Sequence, residues 1–199
     1  TLTYNGNSRE LISNGTGVTY TNNYRTTAGS QTVTITTKSG YIFSDGSSST
    51  TLSCSIGKKA LTVTAKSKTC EYSGSACTVS GCSASGLVSG DSISCSNSTS
   101  RTALGTSTSS VSSSQVTISG TGSTSSYTIT YVTGTVKVQD TTSPTCSLSI
   151  NSSTGVVTAS VSDNHGVSAK GFTTSYGGET TKTMTKTASV KYYVKDSTG

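Results

Sequence analysis

Residues 60–66 read ALTVTAK, with Leu61, Val63 and Ala65 at every second position. Successive side chains of a strand point to opposite faces, so this spacing puts three apolar residues on one face and threonine on the other. The same period recurs in Val116 and Ile118 of QVTISG (115–120) and in Tyr127, Ile129 and Tyr131 of YTITY (127–131). It recurs again in Tyr192 and Val194 of KYYVK (191–195), and no window shows helical spacing. Between the runs lie turn-forming clusters at Asn5-Gly6, Asp45-Gly46, Ser73-Gly74, Gly90-Asp91, Asn164-His165-Gly166 and Gly177-Gly178. Short strands separated by regular turn signals predict an all-β chain of small β-sandwich modules.

Composition bears on module size. The chain has 199 residues with 30% hydrophobic, 11% charged, one proline and no tryptophan. Roughly four residues in ten are Ser or Thr. A single large core uses nearly half apolar residues, so several modules with thin cores are expected. Disordered chains are poor in β-branched and aromatic residues and rich in charge. This chain is the reverse, and threonine suits a half-exposed pleated surface.

Two stretches read as joints. SIGKKALTVTAK passes from a strand end through Gly57 into a new alternating strand, and VKVQDTTSPTCSLSI passes from Val138 through the only proline, Pro144. The expected modules are 1–57, 58–139 and 140–199, with joints too short for free swivelling. No apolar run approaches the ~20 residues of a membrane span, and no secretory h-region is present. The sequence thus reads as a segment of something longer.

Each piece also resembles a known repeat. The middle one, with KKALTVTAKSKTCEYSG, SGLVSGDSI and YTITYVTGTVKV, resembles the MBG (YDG-type) module of bacterial surface proteins. The first, with LTYNG and GYIFSDGSSSTTLSCSI, resembles a short bacterial Ig-like module. The third, with DTTSPTCSLSI, VSDNHGV and YYVKDSTG, resembles bacterial Ig-like repeats that open on DTTAPT and close on a YxVKDxAGN strand. The resemblance implies tandem small Ig-like β-sandwich modules, an extracellular or cell-surface location, an adhesin-like parent and no catalytic residues. Such repeats usually lack cysteine, and this chain has six.

The cysteines stand at 54, 70, 77, 82, 95 and 146. An even count in a thin-cored extracellular chain predicts disulfides, with 15 pairings open for six cysteines. Symmetry about two turns suggests Cys70 with Cys77 and Cys82 with Cys95, each pair facing across a hairpin. Cys54 and Cys146 are left to join each other between modules or to bond neighbouring chains. Structural zinc is the alternative, but it prefers close C-x₂₋₄-C pairs. The spacings here supply one at most, and the lone His165 lies in another module.

Little else points to chemistry. A Ser or Cys nucleophile needs a base within reach, and His165 sits in a DNHG turn where Asp163 and Asn164 have ordinary turn roles. The eight carboxylates are scattered. Asp140 and Asp163 meeting across the second joint would resemble a calcium site, with solvated turns the plainer expectation; no metal or cofactor is assigned. The net charge of +6 comes from dispersed cations, among them Lys58, Lys59, Lys66, Lys68, Lys182 and Lys186. Nucleic-acid sites concentrate charge and interleave aromatics, so no nucleic-acid partner is expected.

Three N-x-S/T sequons, at Asn14, Asn97 and Asn151, are close to chance in so Ser/Thr-rich a chain. The expected function is therefore a non-catalytic spacer or fibre segment whose partners are neighbouring modules or copies of itself. The alternative is a module that binds cell-surface glycan or a host or cell-wall polymer, with Tyr20 and Tyr24 of TYTNNYR as the candidate contacts.

Overall fold

The computed structural model describes residues 2–13, 15–184 and 189–198. Asn14 of the first sequon and Lys186 lie outside the described residues. The chain is all-β, and its described residues form many small sheets with two single-turn 3₁₀ segments and no α-helix. It divides into two units, one of residues 1–67, 79–99 and 108–134, the other of residues 68–78, 100–107 and 135–199.

In the first unit, four strands pair in the order Leu2–Thr3, Ser49–Gly57, Gly29–Thr37 and Val18–Thr21. Gly29–Thr37 and Ser49–Gly57 form a long antiparallel ladder, with Val33 opposite Leu52 and Thr34 opposite Thr51. Leu2–Thr3 runs parallel to Ser49–Gly57 and touches it only at Ile56 and Gly57. Lys59–Ala65 is the centre of a second sheet, antiparallel to Cys82–Ser85 and parallel to Tyr127–Val132 over six registered pairs. Ser92–Cys95 pairs with Val116–Ser119.

The alternation of ALTVTAK fixes which face is buried. Leu61, Val63 and Ala65 pack with Tyr4, Ile56, Val88, Val116, Ile118 and Tyr127 in one core, while Thr62 and Thr64 stay half-exposed. Residues from both sides of Gly57 thus share that core. Burying each such side chain contributes about 1.5–3 kcal/mol, so even a thin core holds a small unit together.

A further sheet has the order Gly105–Ser109, Gly134–Gln139 and Lys68–Glu71, the last two parallel. Val136 and Val138 are its buried hydrophobic residues. Thr145–Asn151, Val156–Ser162 and Thr181–Thr183 form an antiparallel sheet, and Val167–Gly171 pairs with Tyr193–Asp196. Val157, Ala159 and Phe172 form a small core supported by Met184, Val190 and Tyr192. Phe172 and Tyr192 meet edge to face at 4.8 Å.

Cys70–Cys77 and Cys82–Cys95 are disulfide-bonded, with Cα separations of 6.0 and 5.8 Å, inside the usual range for the bridge. The hairpin geometry expected for them is corrected. Lys68–Glu71 takes Gly134–Gln139 as its ladder partner, not the strand that begins at Cys77. Cys82 and Cys95 lie on strands of two different sheets, one paired to Lys59–Ala65 and the other to Val116–Ser119. The second bridge therefore staples sheet to sheet. Cys54 and Cys146 are unbridged, the first half-buried and the second exposed.

Candidate functional site

Asp140, Asp163 and Asp196 come from three turns that each need a carboxylate for local reasons. Asp140 Oδ1 accepts from the Thr142 N–H at 3.2 Å, and Asp163 Oδ1 accepts from the N–H groups of His165 and Gly166, both at 2.9 Å. Asp196 accepts from the Thr198 N–H at 3.0 Å and the Thr198 hydroxyl at 2.7 Å. These are Asx-type turns, in which a short acidic side chain satisfies backbone donors that the turn exposes. The fold brings one carboxylate oxygen of each within 4.8 Å of the others. Asp140 Oδ2 and Asp163 Oδ2 are buried and have no hydrogen-bond partner.

A carboxylate oxygen accepts hydrogen bonds or takes a cation, and two of the three residues each have one such oxygen buried without a donor. These three are the residues whose donor set fits a hard cation such as Ca²⁺, which takes oxygen ligands. Hydrogen bonds from the Thr198 hydroxyl and N–H, helped by Ser197, hold the Asp196 carboxyl below its ordinary range. Asp140 and Asp163 do meet, and Asp196 is the member that sequence reading missed. Its signal was the acidic residue of YYVKDSTG, whose turn role drew no further notice.

Around the cluster the second joint is tied down within its unit. The Tyr72 N–H donates to Gln139 O at 2.7 Å, and Asn164 Nδ2 donates to Tyr72 O at 2.8 Å. The Tyr72 and His165 rings meet edge to face at 4.5 Å. Glu71 accepts from the Thr141 N–H and hydroxyl and from the Thr142 hydroxyl. The Thr141 N–H is the main reason its carboxyl lies below the usual range.

His165 Nδ1 is 2.7 Å from Ser197 Oγ, both exposed. Activating a serine also requires a third group to orient the base and donors for an oxyanion. Among the described residues no hydrogen bond holds His165 Nε2. The pair reads as a turn contact.

A second polar centre lies in the first unit. Asp91 Oδ2 accepts from the Tyr4 and Tyr127 hydroxyls, each at 2.6 Å, and Oδ1 accepts from the Gly122 N–H at 2.8 Å. The Tyr127 oxygen also accepts from the Val88 N–H, and the two rings pack edge to face at 5.4 Å. Burial pushes the Asp91 carboxyl up, but the hydrogen bonds from Tyr127, Tyr4 and the backbone outweigh it and leave it below the ordinary range. Burial first, and then Asp91, raises both phenols, Tyr127 to about 12 and Tyr4 further.

Tyr20 and Tyr24 stand differently. Tyr24 is 62% exposed. Tyr20 is half-buried, and its hydroxyl accepts from the Gly15 N–H at 2.8 Å. Of the sequon asparagines, Asn97 is 2% exposed, so its amide is closed to a sugar-transferring enzyme. Asn151 is exposed and closes its own turn.

A repeated turn also escaped the sequence reading. Arg25 donates to the carbonyls of Thr27, Ala28 and Ser30, beside Gly29 at φ +124°. Arg101 donates to Leu104 O and Ser107 Oγ, beside Gly105 at φ +116°. The shared R-x-x-x-G spacing was its signal.

No protein-family model, curated protein or solved structure matches the chain.

Proposed function

We propose that the chain is a non-catalytic spacer segment of a bacterial extracellular surface protein, adhesin-like or fibre-forming, built from tandem Ig-like β-sandwich modules at 1–57, 58–139 and 140–199. The observation that carries this reading is the fastening of the second joint. Gln139, Thr141 and Thr142 are held by Tyr72 and Glu71, and Tyr72 is held in turn by Asn164 and His165. A linker left free would spend its contour in random directions; one clamped on both sides transmits position along the chain. Two disulfides support an oxidising, extracellular setting. No helix among the described residues is long and apolar enough to cross a membrane.

The test is ¹⁵N relaxation on the intact chain. Amides of residues 139–143 and 145 are expected to have order parameters near those of the neighbouring strands, about 0.85. Values under about 0.6 there would remove the spacer reading. A glycan-binding reading rests on the exposed Tyr24 ring. Saturable sugar binding that Tyr24→Ala abolishes, with Tyr20→Ala as comparison, would favour it over the spacer.

A further inference from the structure

Among the edge strands of the described residues, two carry the unbridged cysteines. Ser49–Gly57 has Gly29–Thr37 on one side, but on the other side Leu2–Thr3 covers only Ile56 and Gly57. Backbone 49–55 therefore has no strand partner on that side among the described residues. Thr145–Asn151 is the end strand of its sheet, and all seven of its residues are exposed. Native edges are usually blunted by lysine, proline or a bulge. These two stretches, STTLSCS and TCSLSIN, contain neither a charge nor a proline. Each holds one of the two unbridged cysteines.

The two edges match one another. Setting Cys54 opposite Cys146 in antiparallel fashion places Leu52 against Leu148 and Thr50 against Ile150. The seven free positions 49–55 then meet 145–151 end to end. The ladder stops where it must, since the next position, Ile56, is already paired with Leu2 and faces Pro144, which has no N–H to give. A parallel alignment on the same cysteines would instead set Leu52 against Pro144.

Leu52, Leu148 and Ile150 are 51%, 43% and 61% exposed. Their registered neighbours within each sheet, Val33, Ala159 and Val157, are buried. Joining the edges makes two continuous cross-strand rows: Val33, Leu52, Leu148, Ala159, and Ile35, Thr50, Ile150, Val157. Directly opposed residues of an antiparallel pair have Cα atoms about 4.5–5.5 Å apart, within the disulfide range. Cys146 also lines an open groove of about 160 Å³ with Ser147, Ser160 and Val161.

We propose that the partner of each edge is the other edge on a second copy of this chain, giving a head-to-tail assembly sealed by a Cys54–Cys146 disulfide. The contact is heterologous, so it propagates rather than closing as a two-fold dimer. The bond forms by exchange with a small-molecule disulfide. One cysteine thiolate attacks that disulfide and releases one small thiol, and the thiolate of the second copy then displaces the other. The two cysteine thiols are oxidised, losing two protons and two electrons in all, and the small disulfide is reduced to two thiols.

This inference rests on the structural reading above and specifies the partner. The test uses the full chain with oxidised glutathione, followed by non-reducing electrophoresis. The wild-type chain is expected to form a ladder of covalent oligomers. Cys54→Ser alone and Cys146→Ser alone should stay monomeric, and their equimolar mixture should give dimers and nothing larger. Mixed ¹⁴N- and ¹⁵N-labelled chains should yield Cys54–Cys146 peptides joined between chains. In the doubly serine-substituted chain, Leu148→Lys should weaken residual association at least tenfold without lowering the melting temperature. Covalent dimers from either single variant, a Cys54–Cys146 bond within one chain, or a monomer with two reactive thiols would each overturn the proposal. A monomer that keeps rigid amides at 139–143 and 145 would leave the spacer reading standing while removing this one.

Discussion

The Asp91 carboxylate accepts from Tyr4, Tyr127 and Gly122, each more than 30 residues from it in the chain. Hydrogen bonds to a charged acceptor contribute about 1.5–3 kcal/mol each, so Asp91→Asn should cost about 3 kcal/mol in chemical denaturation. The pH limbs follow from the directions of the shifts. Asp91 lies below its unfolded value of about 3.9, so its contribution is present above that pH and is lost as pH falls through the folded value. The phenols are raised, so their contribution is intact below about pH 10 and is lost as pH climbs toward about 12 for Tyr127. Tyr127→Phe should flatten the alkaline limb, and Asp91→Asn should remove its share of the acid limb; melting temperature against pH reads both. Gly120 guards the same loop. It sits at φ +126°, and a Cβ there would meet Gly90 O and the Asp91 side chain. Gly120→Ala is expected to cost about 1–3 kcal/mol in unfolding.

At the scale of the element, the Cys82–Cys95 bridge joins two sheets across a 13-residue separation. A loop of that size contributes about 3 kcal/mol through the unfolded chain. Cys82→Ser with Cys95→Ser should lower the denaturant midpoint accordingly, with circular dichroism still showing strand. The alternation in residues 60–66 was readable because one face of that strand is buried and the other is not. Residues 191–195 were less readable: the strand is Tyr193–Asp196, and Tyr192 and Tyr193 are both half-buried. The cysteine turns showed that the chain reverses between 70 and 77 and between 82 and 95, but a turn does not say which sheet each strand joins. That choice depends on ladders with Gly134–Gln139 and Val116–Ser119, which lie far along the chain. The aspartate cluster was partly hidden for the same reason, since each member has a sufficient local role in its own turn.

For the whole molecule, the parallel ladders decide how the chain answers a pull along its length. Lys59–Ala65 lies beside Tyr127–Val132, and Lys68–Glu71 lies beside Gly134–Gln139. Tension entering near residue 58 and leaving near residue 139 drags the two strands of each pair in opposite directions. Every interstrand bond in a ladder is then stressed at once, instead of opening in turn as an antiparallel hairpin does when drawn from its free ends. Single-molecule pulling should therefore show a high rupture force for this stretch, which Val63→Pro lowers by removing a ladder donor and distorting the strand. The two disulfides hold residues 70–77 and 82–95 out of the extension that follows. Reducing agent should lengthen each unfolding step by the contour of those loops, so the chain behaves as a tether with a fixed maximum stretch that its redox surroundings reset.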